Sequence, residues 1–358
     1  MTYLTMTYKE TLFFIGKCLT INHEEKNKIL VEEDLKYENI NWEDIVKIST
    51  DHLVFPALYC NLKRADFLHY LPQDLINFMQ HITDLNRERN KQIIEQAKEI
   101  NTLLLQNNIT PIFIKGTSNL LEGLYEDIAE RMLGDIDILI SEENYNKADK
   151  ILRYNKYSSN SVLYGDHRHL PRLTHPEKIA AVEIHKTMLI RSKSSSFNYK
   201  TVTQNLILVD NFCFLSVENN IKLSVLSNFI NDNGYQLKSI NLKTAYDIFC
   251  FFQKKEINTL ILKDEKLQKE LSAGLMLYAT ILNKPNKICL QPDEQSKKYV
   301  DKALKKLEYN PFGKLHRQYL FIALRFDIFI KAFYKKSYFN FVYSKFVDKK
   351  WYKRRFGI

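Results

Sequence analysis

Apolar residues recur at helical spacing in the N-terminal third of the chain and again from Val217 onward. Residues 73–107 contain neither glycine nor proline, and Leu75, Ile76 and Met79 share one face if this stretch is helical. The pattern therefore predicts one long helix before the middle of the chain and a second helical region after it.

Three shorter helices are also predicted. The first covers 42–62, where Pro56 is expected to kink or break the helix because proline lacks a backbone N–H. The second covers 117–125. The third covers 142–153, with Ser141 as a suitable N-cap and glutamates in the first turn.

Between the helical regions, short apolar or alternating runs predict β-strands. These runs lie at 111–114, 135–140, 157–164 and 179–188. The pattern thus predicts a compact α/β unit at 108–215, preceded by a helical region at 1–107 and followed by one at 216–358.

The composition is that of a globular protein, with 45% hydrophobic and 26% charged residues. The five cysteines are scattered singly, which is typical of a reducing compartment, so we expect a cytoplasmic protein. No apolar run reaches the roughly 18 residues needed to cross a bilayer, and we expect no transmembrane segment.

The formal net charge of +10 is concentrated near the C-terminus. Residues 331–358 hold nine lysines and arginines against one aspartate, which gives this segment +8 and leaves +2 for the other 330 residues. A general nucleic-acid-binding protein spreads its basic groups over a working face, so the near-neutral body argues against that class.

Aromatic and basic residues interleave in the last forty residues of the chain. For 319–336 we expect a helix whose aromatic side chains, such as Phe326 and Phe333, pack inward while the lysines stay in solvent. For 337–358 three alternatives remain: similar packing, contact with an anionic lipid surface, or contact with RNA.

Asp135 and Asp137 lie on one strand with a single residue between them. Side chains two residues apart on a strand point to the same face of the sheet. The two carboxylates therefore lie close together, and their negative charges repel each other unless a cation lies between them. A divalent cation would relieve this repulsion, and oxygen ligands favour Mg²⁺. The alternative is a strand end with two solvated aspartates.

A later strand repeats this arrangement with Glu183 and His185, and adds a third carboxylate to the set. Upstream, Gly116 stands between a strand and a helix, with Thr117 and Ser118 directly after it. Backbone N–H groups and a hydroxyl at such a junction can approach a phosphate.

Taken in order, these pieces resemble a known family. Ile114-Lys115-Gly116, Arg131, Asp135-Ile136-Asp137 with the apolar run after it, and Val182-Glu183-Ile184-His185 look like the uncharacterised nucleotidyltransferases, which share the fold of polymerase-beta-like enzymes. The resemblance implies an α+β fold in which a small mixed-sheet nucleotidyltransferase core is flanked by N-terminal and C-terminal helical regions.

The resemblance also implies an activity: transfer of a nucleoside monophosphate from an NTP such as ATP to an acceptor, with release of pyrophosphate and dependence on Mg²⁺ or Mn²⁺. Asp135, Asp137 and Glu183 would be the metal ligands and catalytic residues. The nucleotide would be bound by Lys115, Gly116, Thr117, Ser118 and Arg131.

The acceptor is unidentified; we expect a small molecule, a sugar or a peptide, with His185, His167 and His169 as candidates for its side of the site. Two other functions stay open. One is a nucleotide-binding or interaction protein without catalysis, and the other is a toxin-like nucleotidyltransferase that modifies transfer RNA.

Overall fold

The computed structural model describes residues 6–37, 40–165, 167–190, 195–257, 260–288, 293–308 and 313–348. In these ranges the N-terminal region consists of helices. They are α1 (Tyr8–Cys18), α2 (Glu25–Tyr37), α3 (Trp42–Asp51), α4 (Phe55–Arg64) and α5 (Gln73–Leu105).

The long helix α5 confirms the helix that the spacing of apolar residues in 73–107 predicted. The segment 42–62 is broken as predicted, because Pro56 lies in the first turn of α4, where a missing N–H costs no hydrogen bond.

A five-stranded sheet follows, in the order β3-β2-β1-β5-β4. Its strands are β1 (Ile112–Phe113), β2 (Asp135–Leu139), β3 (Ala181–His185), β4 (Leu206–Val209) and β5 (Phe212–Leu215). The pairs β2–β3 and β1–β5 are parallel, whereas β1–β2 and β4–β5 are antiparallel. The predicted α+β class with a mixed sheet is confirmed.

Three helices connect the strands: α6 (Lys115–Leu121), α7 (Tyr145–Tyr154) and α8 (Tyr199–Val202). The helix predicted over 142–153 is present as α7, but the assignment of Ser141 as its N-cap was wrong, because α7 begins at Tyr145 with Asn144 as N-cap. The hydroxyl of Ser141 accepts instead from the side-chain amide of Asn144, at 3.2 Å.

The predicted strand at 157–164 was also wrong. Its only pairing in the described residues is a single bridge between Ser158 and Thr174. The physical reason is the run Ser-Ser-Asn-Ser at 158–161, which offers no apolar side chain for a sheet face to bury.

The two faces of the sheet differ in chemistry. Ile136 and Ile138 of β2, with Ile184 of β3, are buried against α5 and α7 in one apolar cluster. The opposite face carries Asp135 and Asp137 and looks toward the C-terminal helices. Alternation along two strands therefore separates a structural face from a polar one.

Helices resume after β5. They are α9 (Val217–Leu226), α10 (Gly234–Leu237), α11 (Leu242–Lys254), α12 (Glu265–Ile281), α13 (Glu294–Glu308), α14 (Gly313–Ala332) and α15 (Lys336–Val347). A π-helical turn, Ser227–Asn231, continues α9. Leu12 and Leu58 belong to the same buried cluster as Phe249 and Leu271, so the first and last helical regions share one core. In the ranges that the structure describes, no helix combines the length and apolarity needed to cross a bilayer.

Helices α14 and α15 pack mainly on each other. The expected inward packing of the aromatics in 319–336 was wrong, since Phe326, Phe329 and Phe333 are 64%, 46% and 78% exposed. The reason is that α14 packs mainly on α15, and among the described residues of the two helices only Ile328 and Tyr338 are buried. The part of the tail at 349–358 lies outside the described residues.

Candidate active site

The acidic residues of the two central strands meet because β2 and β3 are parallel and in register. Asp137 lies directly opposite Glu183, and His185 lies two positions further along on the same face. The possible ligand atoms of these three side chains are all within 4.8 Å of one another. One sheet face thus gathers two carboxylates and one imidazole.

Lys115 supplies a positive charge to this group. Its Nζ donates to Asp137 Oδ1 at 2.6 Å and lies 3.4 Å from His185 Nε2. The backbone of Lys115 is left-handed, with φ 58°, which an L side chain rarely adopts. Strain of this kind is often kept where a side chain must point at a functional group.

Burial acts to raise the pKa of Asp137, but the ammonium of Lys115 and the hydrogen bond from His185 outweigh it and hold that pKa well below its usual range. Asp137 is therefore a carboxylate at neutral pH. Its negative charge is matched by Lys115 in this structure.

His185 is fully buried, and its Nε2 lies 2.7 Å from Asp137 Oδ1 and 3.4 Å from Glu183 Oε2. A carboxylate can only accept, so Nε2 carries the proton and donates to the acids. Nδ1 has no hydrogen-bond partner among the described residues. A histidine that binds a metal normally donates its second N–H to a carbonyl or carboxylate, so His185 fits better as a support for the two acids.

Glu183 faces a second imidazole, since its Oε2 lies 3.6 Å from His169 Nε2. Nδ1 of His169 donates to the carbonyl of Leu170 at 2.6 Å, and burial lowers the pKa of His169 to about 4. A neutral imidazole that donates through Nδ1 has a bare Nε2. Two acceptors therefore face each other, an arrangement that a shared cation or proton would stabilise.

Burial acts to raise the pKa of Glu183, but the hydrogen bond from His185 acts in the opposite direction and is part of a larger lowering effect. The pKa of Glu183 therefore lies below its ordinary value. Glu183 is consequently ionised at neutral pH. Unlike Asp137, it has no lysine or arginine as ion-pair partner among the described residues, and its ion-pair neighbours there are His169 and His185.

Asp135 shares the face of Asp137, as the alternation predicted, but its carboxylate forms an ion pair with Arg172. It does not belong to the group of ligand atoms around Asp137. The sequence pattern predicted that Asp135 would join Asp137 and Glu183 as the third member of this group, but in the structure the third member is His185.

A family model described as uncharacterised nucleotidyltransferase matches residues 38–284, more than half of the chain. The chain belongs to this family. Asp135, Asp137, Glu183 and His185 all lie within the matched range, whereas α14 and α15 lie outside it. No curated protein and no solved structure shows a significant match to the chain.

In this member of the nucleotidyltransferase family, the residues after Lys115 serve the framework of the site. Thr117 Oγ1 donates to the carbonyl of Asp135 at 3.1 Å and accepts from the N–H of Asp137 at 3.3 Å, so it fastens α6 to β2. Ser118 is buried and donates to Glu122. A side chain on Gly116 would collide with Leu133, since an added Cβ would lie 2.3 Å from Leu133 Cδ2.

Arg131 is buried and is held by Asp247. Its Nε donates to both carboxylate oxygens, at 3.0 and 3.2 Å, and its Nη1 donates to the carbonyl of Met132 at 2.8 Å. The hydroxyl of Tyr125 donates to Asp247 Oδ1 at 2.5 Å. This network connects the segment before β2 to α11. It uses the Nε and Nη1 donors of the Arg131 guanidinium.

A cleft of about 410 Å³ opens between the acidic sheet face and α9 and α11. Asp135, Asp137 and Lys115 line one wall, and Lys243 of α11 lines the other. Glu183 is not among the lining residues. The cleft is lined by both acids and bases, as a site for a metal-bound polyphosphate must be.

Two basic residues of this cleft were missed by the sequence analysis. Lys243 has no hydrogen bond or ion pair to any described residue, and burial lowers its pKa to about 8. Arg168 has a buried Nε that lacks a partner in the described residues. In the sequence, Arg168 is marked only by its position between His167 and His169, and Lys243 lies in the first turn of α11, far from the motifs that carry the resemblance.

The histidine loop lies over one end of the site. His167 packs edge-on against His169, with ring centroids 4.3 Å apart, and burial lowers the pKa of His167 to about 4. Both imidazoles are thus neutral near pH 7. His167 also contacts Tyr164, which stacks on Tyr338 of α15.

Proposed function

We propose that this chain transfers a nucleoside monophosphate from an NTP to an acceptor, with release of pyrophosphate, and that it does so with Mg²⁺ or Mn²⁺ bound. The acceptor oxygen forms the new bond to the α-phosphorus as the bond to the pyrophosphate oxygen breaks. The observation that carries the proposal is the in-register pair of Asp137 and Glu183 on adjacent parallel strands, of which Asp137 lines a cleft that also holds basic residues.

The charge balance of this pair supports a cation. Lys115 matches the charge of Asp137, but Glu183 keeps an uncompensated charge beside the bare Nε2 of His169. Buried like charges on neighbouring strands are costly unless a positive group lies between them. This arrangement suits an enzyme whose divalent cation binds together with the nucleotide substrate.

Asp137 and Glu183 are the residues that would hold the metal, and their oxygens suit Mg²⁺ and Mn²⁺. The nearby bare Nε2 of His169 makes Mn²⁺ at least as suitable as Mg²⁺, because imidazole is a better ligand for transition metals. When bound, the cation supplies positive charge that stabilises the phosphoryl oxygens in the transition state.

We assign the nucleotide side of the cleft to its basic residues. Lys115 can exchange its partner from Asp137 to a phosphate, and Lys243 and Arg168 face the cleft without a described partner for Nζ and Nε. Gly116 and Arg131 also line the cleft, whereas Thr117 and Ser118 support this wall from behind. We assign the acceptor side to Glu183 with His169, and keep His167 and His185 as its neighbours.

The first expected result concerns the metal. NTP binding should weaken at least about tenfold when EDTA removes divalent cations, because the carboxylates would otherwise repel a triphosphate. Isothermal titration of ATP, CTP, GTP and UTP with Mg²⁺, with Mn²⁺ and with EDTA measures this. Equal affinity in all three conditions would contradict a nucleotide–metal site.

The second expected result concerns Lys243. NTP affinity should fall as pH rises from about 7 to about 9, because a Lys243 with a pKa of about 8 changes from charged to neutral over that range. Arg131 opposes the charge of Lys243, whereas Asp247, Asp232 and Asp137 favour it. Lys243→Met should bind NTP about tenfold more weakly near pH 7 and should lose most of this pH dependence.

The matched control is Lys266→Met, which removes an exposed lysine of α12 outside the cleft. It should keep the wild-type affinity and the wild-type pH profile. If Lys243→Met retains a fall in affinity as steep as the wild type shows, another group causes the pH dependence and Lys243 does not meet the phosphates.

A further inference from the structure

An exposed apolar stripe runs along α14. Its members recur every three or four residues and therefore share one side of the helix. They are Leu315, Tyr319, Ile322, Phe326 and Phe329 of α14 and Phe333 in the turn directly after it, and each is between 46% and 78% exposed. A stripe of this kind normally packs on something, since each large apolar side chain left in water is unfavourable.

Helix α15 continues the apolar surface. Phe339, Tyr343 and Phe346 lie on one face of it and are exposed. Between α14, α15 and residues near Tyr164 runs an apolar groove of about 600 Å³. We refer to α14, α15 and this groove as the C-terminal hairpin.

The C-terminal hairpin lies in the part of the chain that carries the charge. Residues 313–348 hold seven lysines and arginines and two aspartates, and residues 349–358 hold five lysines and arginines and no acid. Their net charge of +10 equals that of the whole chain, so residues 1–312 are neutral overall. The C-terminal hairpin is thus both apolar on its surface and basic, whereas residues 1–312 have no net charge.

This charge decides between the occupants that an apolar stripe could have. A second copy of the hairpin would bring two strongly positive surfaces together, and residues 349–358 are as basic as the surface that they would cover. RNA would match the charge, but exposed aliphatic side chains such as Ile322, Leu324 and Val347 have no partner on a nucleic acid. An anionic bilayer offers negative headgroups and an apolar layer beneath them.

We propose that the C-terminal hairpin docks this protein on the surface of an anionic lipid membrane. The aromatic and aliphatic side chains of α14 and α15 enter the boundary between headgroups and acyl chains, and the surrounding lysines and arginines contact the headgroups. The helices lie on the membrane and do not cross it, which agrees with the lack of a spanning helix in the described chain.

Docking in this way would bring the acceptor side of the candidate active site close to the membrane. The groove is lined by Tyr164 and His167, and His167 packs on His169, which faces Glu183. The docking proposal does not depend on catalysis, because α14 and α15 lie outside the range that the family model matches.

Flotation of the full chain with vesicles tests the proposal. We expect binding to vesicles of phosphatidylglycerol and phosphatidylcholine, at least about tenfold weaker binding to phosphatidylcholine alone, and loss of binding when salt rises from about 0.1 M to about 1 M. Phe326→Gln combined with Phe333→Gln should weaken binding to the anionic vesicles about tenfold or more. Lys336→Glu combined with Lys345→Glu should do the same.

Matched controls use exposed residues elsewhere in the chain. Tyr37 and Tyr154 are 84% and 92% exposed, and their joint replacement by glutamine should leave vesicle binding unchanged. Lys47→Glu combined with Lys266→Glu is the corresponding charge control. All four double variants should bind NTP as the wild type does, which separates a failure of docking from a failure of the proposed enzymatic function.

Three results would overturn the proposal. One is that the wild-type chain does not float with anionic vesicles. Another is that the hairpin variants and their controls bind alike. The third is a wild-type dimer in light scattering that Phe326→Gln with Phe333→Gln converts to a monomer, which would assign the surface to self-association.

Discussion

Asp137→Asn is expected to lower pyrophosphate release from NTP by about 10²–10³-fold or more while the fold stays intact. The asparagine keeps the size of the side chain and one acceptor oxygen, so Lys115 and His185 still have a partner. It removes the negative charge that lies between them and opposite Glu183. Without that charge the pair of acids can no longer hold a divalent cation beside a triphosphate.

Two readouts make this test independent of the unknown acceptor. Slow release of pyrophosphate with water as acceptor reports chemistry, and electron paramagnetic resonance of Mn²⁺ reports binding of the metal in the presence of ATP. Both should be lost in Asp137→Asn. Asp84→Asn, which alters an exposed ion pair with Arg87, is the control and should behave as wild type. Full Mn²⁺ affinity in Asp137→Asn would remove Asp137 from the set of metal ligands.

If Asp137→Asn lost Mn²⁺ binding but the wild type released no pyrophosphate with any NTP or metal, the chain would bind nucleotide without catalysing transfer. That outcome would favour the interaction protein that the sequence analysis left open. It would leave the docking of the C-terminal hairpin untouched, because the two surfaces are tested by different variants.

Asp247→Ala is expected to reduce the free energy of unfolding by about 3–5 kcal/mol, the largest loss of stability for a single change near the site. Arg131 is buried, and Asp247 provides its only ion-pair partner among the described residues. Removing the carboxylate leaves a buried guanidinium without its counter-charge and deprives the Tyr125 hydroxyl of its acceptor. Urea unfolding followed by circular dichroism measures the loss.

The pair Arg131→Met with Asp247→Leu should recover much of that stability, because it removes both charges together and replaces them with apolar volume. Asp327→Ala is the control: it breaks an exposed ion pair with Lys331 and should cost no more than about 1 kcal/mol. If the double variant is stable and binds NTP normally, Arg131 is structural. If the double variant is stable but NTP affinity falls about tenfold or more, Arg131 also contacts phosphate.

Local periodicity in the sequence was sufficient to predict several parts of the fold. The long apolar spacing in 73–107 predicted α5, and a run of alternating residues predicted β2. Alternation also implied that Asp135 shares a face with Asp137, and Glu183 with His185. Such statements depend only on the geometry of one strand or helix, which a side-chain pattern expresses directly.

The same local patterns gave wrong predictions where the outcome depends on whether another part of the protein packs against the segment. The segment 157–164 contains strand-forming residues at both ends, but a polar run between them leaves no face to bury. The aromatics of α14 follow an amphipathic pattern, yet the pattern cannot tell whether a surface exists to receive them. In this structure α14 packs on α15 and leaves its stripe in solvent.

The sequence by itself determined which residues of each strand could act together, because the twofold period of a strand is a local property. Only the tertiary structure decided which residue of β2 meets which residue of β3. The parallel register places Asp137 opposite Glu183 and brings His185 into the same group of side chains. Asp135 forms an ion pair with Arg172 instead. Register, the left-handed backbone of Lys115 and the approach of Lys243 across the cleft all depend on contacts between residues far apart in the chain. No pattern within a single segment contains that information.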